Sequence, residues 1–533
     1  MNNDAQTTRW VAAAVLVAGW FLFGVLAKSF LKKTPKLDIP HVDFADGGKR
    51  TMERYAQEGN SLLIRGYHEY SKKGLPFSVF NSTNTSRPLV VLPTKYLEEV
   101  RNAGATKLSF NEFLNKSQIS ADIGAPLITD RTIHVVRQDL NKSLSESAYP
   151  DKVPYGAQTN MEQDDLIQPL HQVCAKVVPR LIPPSKDWTP HNGFMLLFQL
   201  SSRLMARVIV GPELWDDDDW HQACNLYFHA GMIATNRVRN GYPSWLRWTS
   251  RFLDKYVMAI HMARRKGKAI LKPIVEACQA QFKESTKETK HRLGDGVSWL
   301  VESYLASGKS SVSPGDIMQD ASFLLAASVP STTSTALSIL MDLVDVDHAN
   351  MLAEIRDEIS TVYAEHGNCW TRRALGALQR LDDFMKESQR MHNLQYNTMQ
   401  RLALQDYIFK DGLRIPAGTP LVMPSRLLGL DPDLHPAPEQ FDPSRWKRMR
   451  EQHGDATKFH FASVHDDMLP WGSGPHACPG RFLAQHMIKL ILIHFVTRYD
   501  IKHGEGDGHR PPDMPDHGTE APNMGAMLLF KER

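Results

Sequence analysis

The chain has 533 residues and a formal net charge of only +3. That length is ample for a large buried core, and the near balance of charge, with no basic stripe interleaved with aromatics, gives no sign of a nucleic-acid partner. The five cysteines, Cys174, Cys224, Cys278, Cys369 and Cys478, are scattered and form no C-x-x-C pair, which excludes a disulfide framework and a zinc ribbon and fits a reducing compartment.

The first predicted element is the apolar stretch 10–27, free of charge and proline. Its length just suffices to span a bilayer as a helix. Trp10 suits an interface, and Lys28, Lys32, Lys33 and Lys36 follow directly, so the positive-inside rule puts the remainder on the cytosolic side. A cleaved signal peptide is the rival reading, but Arg9 alone precedes the stretch where such a peptide carries several positive charges. The predicted organisation is a short lumenal N-terminus (1–9), a transmembrane anchor (10–27), a basic, proline-bearing hinge (28–47) and a globular body (48–533). The N-x-S/T sequons at Asn81, Asn84, Asn115 and Asn141 then face the cytosol and stay unmodified.

Within the body, 88–92 reads as a short strand. Long amphipathic runs at 192–210, 314–344, 349–363, 372–391 and 480–498 read as helices; Ser313 can cap the second of them, with Pro314 in its first turn. Asp411-Gly412 between Tyr407-Ile408-Phe409 and Leu413 to Thr419 is a hairpin signal, and a last hairpin is predicted near 523–529. The fold class is mainly α with a minor β part.

Chemistry concentrates in Trp471-Gly-Ser-Gly-Pro-His-Ala-Cys478-Pro-Gly-Arg481, directly before the last helix. A thiolate on a tight loop at a helix start receives backbone N–H groups and the positive end of the dipole, which lower its pKa. That suits a metal ligand, and haem iron takes a lone Cys thiolate. A buried structural cysteine is the plain alternative, and a zinc site with His476 and His486 has poor spacing. The segment resembles the haem-ligand signature of the cytochrome P-450 family, aromatic-x-x-Gly-x-(Arg or His)-x-Cys-x-Gly, filled here by Trp471, Gly474, His476, Cys478 and Gly480. Trp471 stands where Phe is usual, and His476 where Arg is commonest.

Two further segments carry the resemblance. Glu387-Ser-Gln-Arg390 places a carboxylate and a guanidinium on one helix face; alone it is an ordinary exposed pair. Downstream, Pro438-Glu-Gln-Phe441-Asp-Pro443-Ser-Arg445-Trp446 is similar to the family's Pro-Glu-x-Phe-x-Pro-x-Arg-aromatic stretch, and the order of the three motifs is the family's. The resemblance implies that Glu387, Arg390 and Arg445 form a buried charge cluster that serves folding and haem retention. Ala327-Ser-Val-Pro330-Ser331-Thr332 is similar to the family's oxygen-binding helix segment, with Pro330 in the place of the acid and both Ser331 and Thr332 as candidates for the oxygen-activating hydroxyl. Pro330 cannot donate its helix hydrogen bond, and the expectation is a kink that frees the Ala326 carbonyl and opens an oxygen and water pocket. A back-bonded Ser/Thr face is the simpler alternative.

The resemblance also implies haem propionates held by Arg401 and His476, with Arg137 and His134 as further candidates, and a donor-docking loop at Lys447, Arg448 and Arg450. The substrate pocket is assigned to Phe323, Ala327, Val329, Leu394, Tyr396 and Met524, its entrance to 117–130 and the stretch around Trp245 and Trp248. Taken whole, the implied protein has the cytochrome P-450 fold preceded by a single N-terminal transmembrane helix, in the endoplasmic reticulum membrane with a cytosolic haem-thiolate catalytic domain. It carries haem b ligated by Cys478, takes electrons from NADPH-cytochrome P-450 reductase, with cytochrome b5 as a second donor, and contacts membrane lipid and a lipophilic small-molecule substrate. The implied reaction is hydroxylation or epoxidation of a terpenoid, polyketide or indole-alkaloid intermediate of fungal secondary metabolism. A haem-thiolate isomerase or desaturase, and a non-catalytic haem-binding membrane protein, remain as alternatives that reductase and NADPH dependence would separate.

Overall fold

The computed structural model describes residues 19–20, 37–48, 50–82, 87–141, 144, 166–284, 295–516 and 518–533. The anchor over 10–27 lies outside them, apart from Gly19 and Trp20, as do the lysines that follow it and the sequon at Asn84. The expected hinge of 28–47 is described from Leu37 onward, and there it packs. Val42 N donates to Ser78 O and Ser78 N to Pro40 O, both at 2.8 Å, and Val42 and Phe44 are buried.

Helix α1 (Met52–Glu69) begins at Thr51, whose hydroxyl accepts from Arg54 N. It leads to strands β1 (Phe77–Val79) and β2 (Leu89–Val91). Strand β3 (Leu108–Ser109) runs straight into α2 (Phe110–Ser117), which Ser109 caps. Helix α3 (Asp130–Val135) continues as a π-helical turn, Val136–Leu140. There follow α4 (Ile167–Leu181), β4 (Thr189–Asn192), α5 (Gly193–Ile209), α6 (Asp218–Gly241), α7 (Lys255–Glu284) and α8 (Gly296–Ala306). Helix α9 (Pro314–Leu343) starts as predicted, with Ser313 accepting from Gly315 N. After α10 (Ala349–Glu365), the run expected as one helix over 372–391 divides at Leu378 into Arg372–Ala377 and α11 (Gln379–Met391). Strands β5 (Asn397–Ala403), β6 (Tyr407–Ile408), β7 (Arg414–Ile415) and β8 (Pro420–Pro424) precede α12 (Ser444–His453) and α13 (Arg481–Arg498). The chain closes with β9 (Tyr499–His503), β10 (Met514–Asp516), β11 (Thr519–Ala521) and β12 (Met527–Glu532).

One sheet has the order β1-β2-β8-β5-β3, with β2 and β8 parallel and the other pairs antiparallel. The Asp411-Gly412 turn joins β6 to β7 as expected. The last hairpin falls earlier than expected, between β10 and β11, while β12 pairs with β4 and β9.

The main core forms where α4, α5, α9 and α13 meet. Leu197, Leu200 and Leu204 repeat at helical spacing along α5 and are buried with Val173 and Val177 of α4, Leu337 and Leu340 of α9, and Leu490 and Phe495 of α13. A second core lies under the sheet, around Phe77, Val90, Leu421 and Met423. Among the described residues α9 is the helix long and apolar enough to cross a bilayer, but more than half of its apolar window is buried in the body, which makes it a core helix. It stays α-helical through Pro330. The chain is not broken there and packs against α5, α7 and α11, although Pro330, lacking an N–H, leaves the Ala326 carbonyl without its helix donor. Two hydroxyls supplement the carbonyls of that turn: Ser328 donates to Leu324 O at 2.6 Å and Ser331 to Ala327 O at 2.8 Å.

Helix α11 is polar in sequence yet buries Asp382, Asp383, Lys386, Glu387 and Arg390. Lys489 of α13 meets Asp382 at 2.8 Å, each side chain about 1% exposed. Burial pushes the Asp382 carboxyl up, but the Lys489 charge and the His460 hydrogen bond outweigh it and hold the group below the usual carboxylate range. Lys489→Met leaves Asp382 buried without its cation, and we expect a loss of about 3–5 kcal/mol, read as a lowered urea midpoint.

Candidate active site

The Cys478 loop is built from close turns. Gly472 and Gly474 adopt φ of 72° and 66°, a region that glycine enters without strain. A Cβ at Gly474 would also lie 2.1 Å from the Arg101 side chain. Cys478 N donates to Trp471 O at 2.7 Å, Trp471 Nε1 donates to Phe461 O at 2.8 Å, and Arg481 bonds both Ala462 O (3.1 Å) and Cys478 O (2.9 Å). From the other side, Arg137 donates to Pro475 O at 2.6 Å and Asn141 to Pro479 O at 3.0 Å. The loop is therefore pinned from α3's π-turn, from α13 and from the segment before it.

Cys478 lines a cavity of about 530 Å³. Burial pushes the Cys478 thiol up, while the N–H groups of Gly480 and Arg481 pull the other way. The donors expected from the sequence are thus present, but in the protein alone burial wins; a bound cation on the sulfur would deprotonate it outright. The other cysteines are free. Cys174 and Cys224 are fully buried thiols pushed up by burial, and none of the four lines this cavity.

One face of α9 forms another part of the wall: Phe323, Leu324, Ala327, Ser328, Ser331 and Thr332. The Ser331 hydroxyl is committed to Ala327 O and Ser328 O. Thr332 reaches the cavity too, and no hydrogen bond among the described residues engages its hydroxyl; the hydroxyl buried without a partner is that of Thr333, next along the helix. Val329 was expected here but is fully buried and off the wall. Two residues beyond Ala327 is about 200° around the helix, so if Ala327 faces the cavity Val329 faces the core.

The cavity wall carries Arg137, Arg401, His392 and His476, and no Asp or Glu among the described residues. Strand β5 slips register against β8 between Thr398 and Arg401, with Met399 at φ 55°; such a bulge re-aims the side chains beside it. Arg401 is 2% exposed. Its Nη1 donates to Gln400 O at 2.8 Å, while Nε and Nη2 have no partner, and burial lowers its pKa to about 10. His476 is exposed on its loop, and its pKa is lowered first by partial desolvation and then by Arg401 and Arg137. A buried guanidinium with open donors, beside two more basic groups and no acid, fits an anionic group of the kind a porphyrin carries. Arg401, His476 and Arg137 could hold such a group's carboxylates and Cys478 its metal.

Four sequence assignments fall elsewhere. His134 is exposed, because α3 turns Thr132 and Val135 inward. Tyr396 is buried off the wall, its hydroxyl on Glu520 Oε2 at 2.8 Å. Met524 is 45% exposed in the turn before β12. Trp245 and Trp248 stand in solvent, and of 117–130 only Ile128 reaches the wall. Leu394 does line it, and so do Phe110, Leu114, Met205, Ile209 and Trp299, which sequence reasoning missed. Their apolar character is indistinguishable from core until the helices are packed.

Behind the loop, Glu387, Arg390 and Arg445 form one buried cluster. Arg390 donates to Glu387 through Nη2 (2.8 Å) and Nε (3.0 Å), and Arg445 Nε adds a bond at 3.2 Å. Asp442 N donates to the same carboxylate at 3.0 Å. The spare guanidinium donors reach the carbonyls of Gly429 and Pro436, each at 2.8 Å.

A mainly helical body, a lone cysteine loop at a cavity on which no described Asp or Glu lies, and a buried Glu-x-x-Arg cluster together fit a haem-thiolate enzyme, and comparison with known proteins agrees. Residues 67–529 match the cytochrome P450 family, and the chain belongs to it. It is 37% identical over 503 residues to the cytochrome P450 monooxygenase cheE of Chaetomium globosum, covering 93% of this chain and 91% of that one. It is 33% identical to the cytochrome P450 monooxygenase ccsG of Aspergillus clavatus, covering 98% of each, and 32% identical to the pyrichalasin C-7 hydroxylase of Pyricularia grisea, covering 88% of each. Retinoic acid-bound cyanobacterial CYP120A1 shares the fold at a TM-score of 0.64 and 15% identity, covering 93% of this chain and all of that one. The protein is accordingly a monooxygenase whose family carries a haem iron on a cysteine thiolate and draws electrons from a redox partner.

Arg401 distinguishes a ligand site from a structural ion. Arg401→Met removes a buried, half-satisfied charge, so we expect the haem-free protein to gain about 1–3 kcal/mol in urea unfolding, while the haem content of the purified variant falls.

Proposed function

We propose that the protein hydroxylates a lipophilic secondary-metabolite intermediate, and that Cys478 would ligate the iron of haem b while Arg401, His476 and Arg137 would hold its carboxylates. The single observation that carries this reading is that Cys478 and Arg401, whose Nε and Nη2 have no partner among the described residues, line one cavity on which no described Asp or Glu lies. When bound, the haem supplies reductive activation of dioxygen, with thiolate ligation favouring O–O cleavage. The chain supplies the rest. Glu387, Arg390 and Arg445 tie α11 to the stretch 429–445 that precedes the loop, and loss of one partner strands a buried charge. Phe110, Leu114, Ile128, Met205, Trp299 and Phe323 give the cavity an apolar wall that excludes water and favours an apolar skeleton. Ala327 and Leu394 shape the same space.

Thr332 holds the proton for dioxygen activation at its Oγ1. Ser331 is the weaker candidate, since its hydroxyl proton already serves the helix carbonyls. With Pro330 in the place of an acid, ordered water on Thr332 is the relay. Terpenoid, polyketide and indole-alkaloid skeletons all suit an apolar wall; the likeness to a pyrichalasin C-7 hydroxylase favours hydroxylation over epoxidation and over rearrangement without oxygen insertion. The setting is fungal biosynthesis at the endoplasmic reticulum, with the apolar stretch 10–27 as anchor, a cytosolic body, NADPH-cytochrome P450 reductase as electron donor and cytochrome b5 as an accessory one. Lys447 and Arg448 lie on the exposed side of α12 and would steer an acidic donor.

The test is turnover with the reductase, NADPH and isotopically labelled dioxygen, scoring label in the product and product formed per NADPH consumed. Wild type incorporates the label. Thr332→Ala lowers product per NADPH by roughly a hundredfold, the scale of a lost positioned proton donor, and Ser331→Ala stays close to wild type. The reverse order of the two variants would assign the hydroxyl to Ser331, and product without label would favour the isomerase reading.

A further inference from the structure

Met399 holds a φ of 55° in the middle of β5, a left-handed conformation that strains any residue with a Cβ. It sits where the strand slips register against β8, between Thr398 and Arg401, and it is 4% exposed. Glycine takes that φ without strain. A methionine there brings something that glycine lacks, and that is a side chain worth the strained backbone.

The sulfur shows what the side chain does. Ser473 N donates to Met399 Sδ at 3.1 Å, and a Cβ at Gly472 would meet the same sulfur at 3.5 Å. Ser473 is 1% exposed, so water does not reach its N–H, and a buried N–H left without an acceptor is costly. A thioether is a weak acceptor, but it is the one this N–H has among the described residues. The Ser473 hydroxyl is held as well: it donates to Asp466 Oδ1 at 3.0 Å and accepts from Arg101 Nη1 at 3.4 Å. One residue back on the strand, Thr398 Oγ1 donates to Leu469 O at 3.0 Å. Successive side chains of a regular strand point to opposite faces. The left-handed turn at Met399 breaks that alternation, and both Thr398 and Met399 grip the stretch 469–473. That stretch runs directly into the Cys478 loop, while Arg401, two positions further along β5, lines the same cavity as Met399, Gly472 and Cys478.

We propose that Met399 is a positioning residue, whose thioether accepts the Ser473 N–H and so fixes the Cys478 loop against the strand that carries Arg401. The strain at Met399 keeps two separate parts of the cavity wall in register with each other. The consequence for the metal rests on the assignment of Cys478 as its ligand; the hydrogen bond itself does not.

The experiment is amide hydrogen exchange at Ser473 in the purified, haem-loaded full chain, with electron-transfer fragmentation to resolve the residue, for wild type, Met399→Leu and Met399→Gln. Leucine keeps most of the bulk and removes the acceptor; glutamine restores an acceptor at similar reach. The expected result is a protected Ser473 amide in wild type and exchange roughly fivefold faster in Met399→Leu, the scale of one lost hydrogen bond. Met399→Gln returns to within about twofold of wild type. The red-shifted Soret band of the reduced carbon monoxide form weakens in Met399→Leu and recovers in Met399→Gln. An unprotected Ser473 amide in wild type overturns the proposal, and this arm decides even if both variants fail to fold. Unchanged exchange in folded Met399→Leu, or no recovery in folded Met399→Gln, overturns the thioether as acceptor. Faster exchange with an unchanged spectrum overturns the link to Cys478. Wild type without the red-shifted band removes the Cys478 assignment, and the exchange rates still decide the Met399 bond.

Discussion

Helix α11 buries Asp382, Asp383, Lys386, Glu387 and Arg390, and much of the body is arranged to satisfy them. Each buried charge recruits a partner from a different segment. Asp382 takes Lys489 of α13 and the backbone N–H of Phe461. Asp383 takes Arg450 of α12. Glu387 takes Arg390, Arg445 and the Asp442 N–H. Lys386 reaches Ser463 O at 3.3 Å, and Ser388 donates to Asp342 of α9 at 2.5 Å. Charges removed from water tolerate few arrangements, so one polar helix specifies where α9, α12, α13 and the segment leading to the cysteine loop must lie.

That constraint leads directly to the site. Phe461, tied to Asp382, accepts from Trp471 Nε1, and Trp471 in turn accepts from Cys478 N. The sulfur is therefore connected to α11 through a short chain of hydrogen bonds, and its position is set before any cofactor arrives. The cavity it faces has the opposite character from α11: Arg401, Arg137 and His476 line it with no described Asp or Glu on the same wall, while His392, also on that wall, is paired with Asp342 and Asp513. Charge pairing along the helix and unmatched guanidinium donors of Arg401 at the cavity wall are two uses of the same electrostatics. One makes a unique fold and the other an anion-accepting surface.

The parts of this account legible in the sequence are those in which the chemistry is local. The spacing from Trp471 to Gly480, the Ser313-Pro314 helix start, the Asp411-Gly412 turn and the linked Glu387, Arg390 and Arg445 segments each declare themselves within a few residues. What escaped notice depends on how elements pack. Val329 and Ala327 are close in sequence but differ by more than half a turn in direction. Tyr396 is claimed by Glu520 from a distant hairpin. Trp299 and Met205 reach the cavity from helices whose apolar faces look like ordinary core. Pro330 carries a strong local signal for a break, yet the helix runs on, packed among α5, α7 and α11. The helix read as continuous over 372–391 divides at Leu378, a residue with no breaker signal, whose φ of −74° and ψ of 79° leave the helical region.

The central claim is that Cys478 presents a thiolate to a metal in the main cavity. The most direct test is the absorption spectrum of the haem-loaded, reduced protein under carbon monoxide, for wild type beside Cys478→Ala. The account predicts a strongly red-shifted Soret band in wild type and its loss in the variant. Haem-loaded, folded wild type without that band, or a variant that keeps it, would contradict the account.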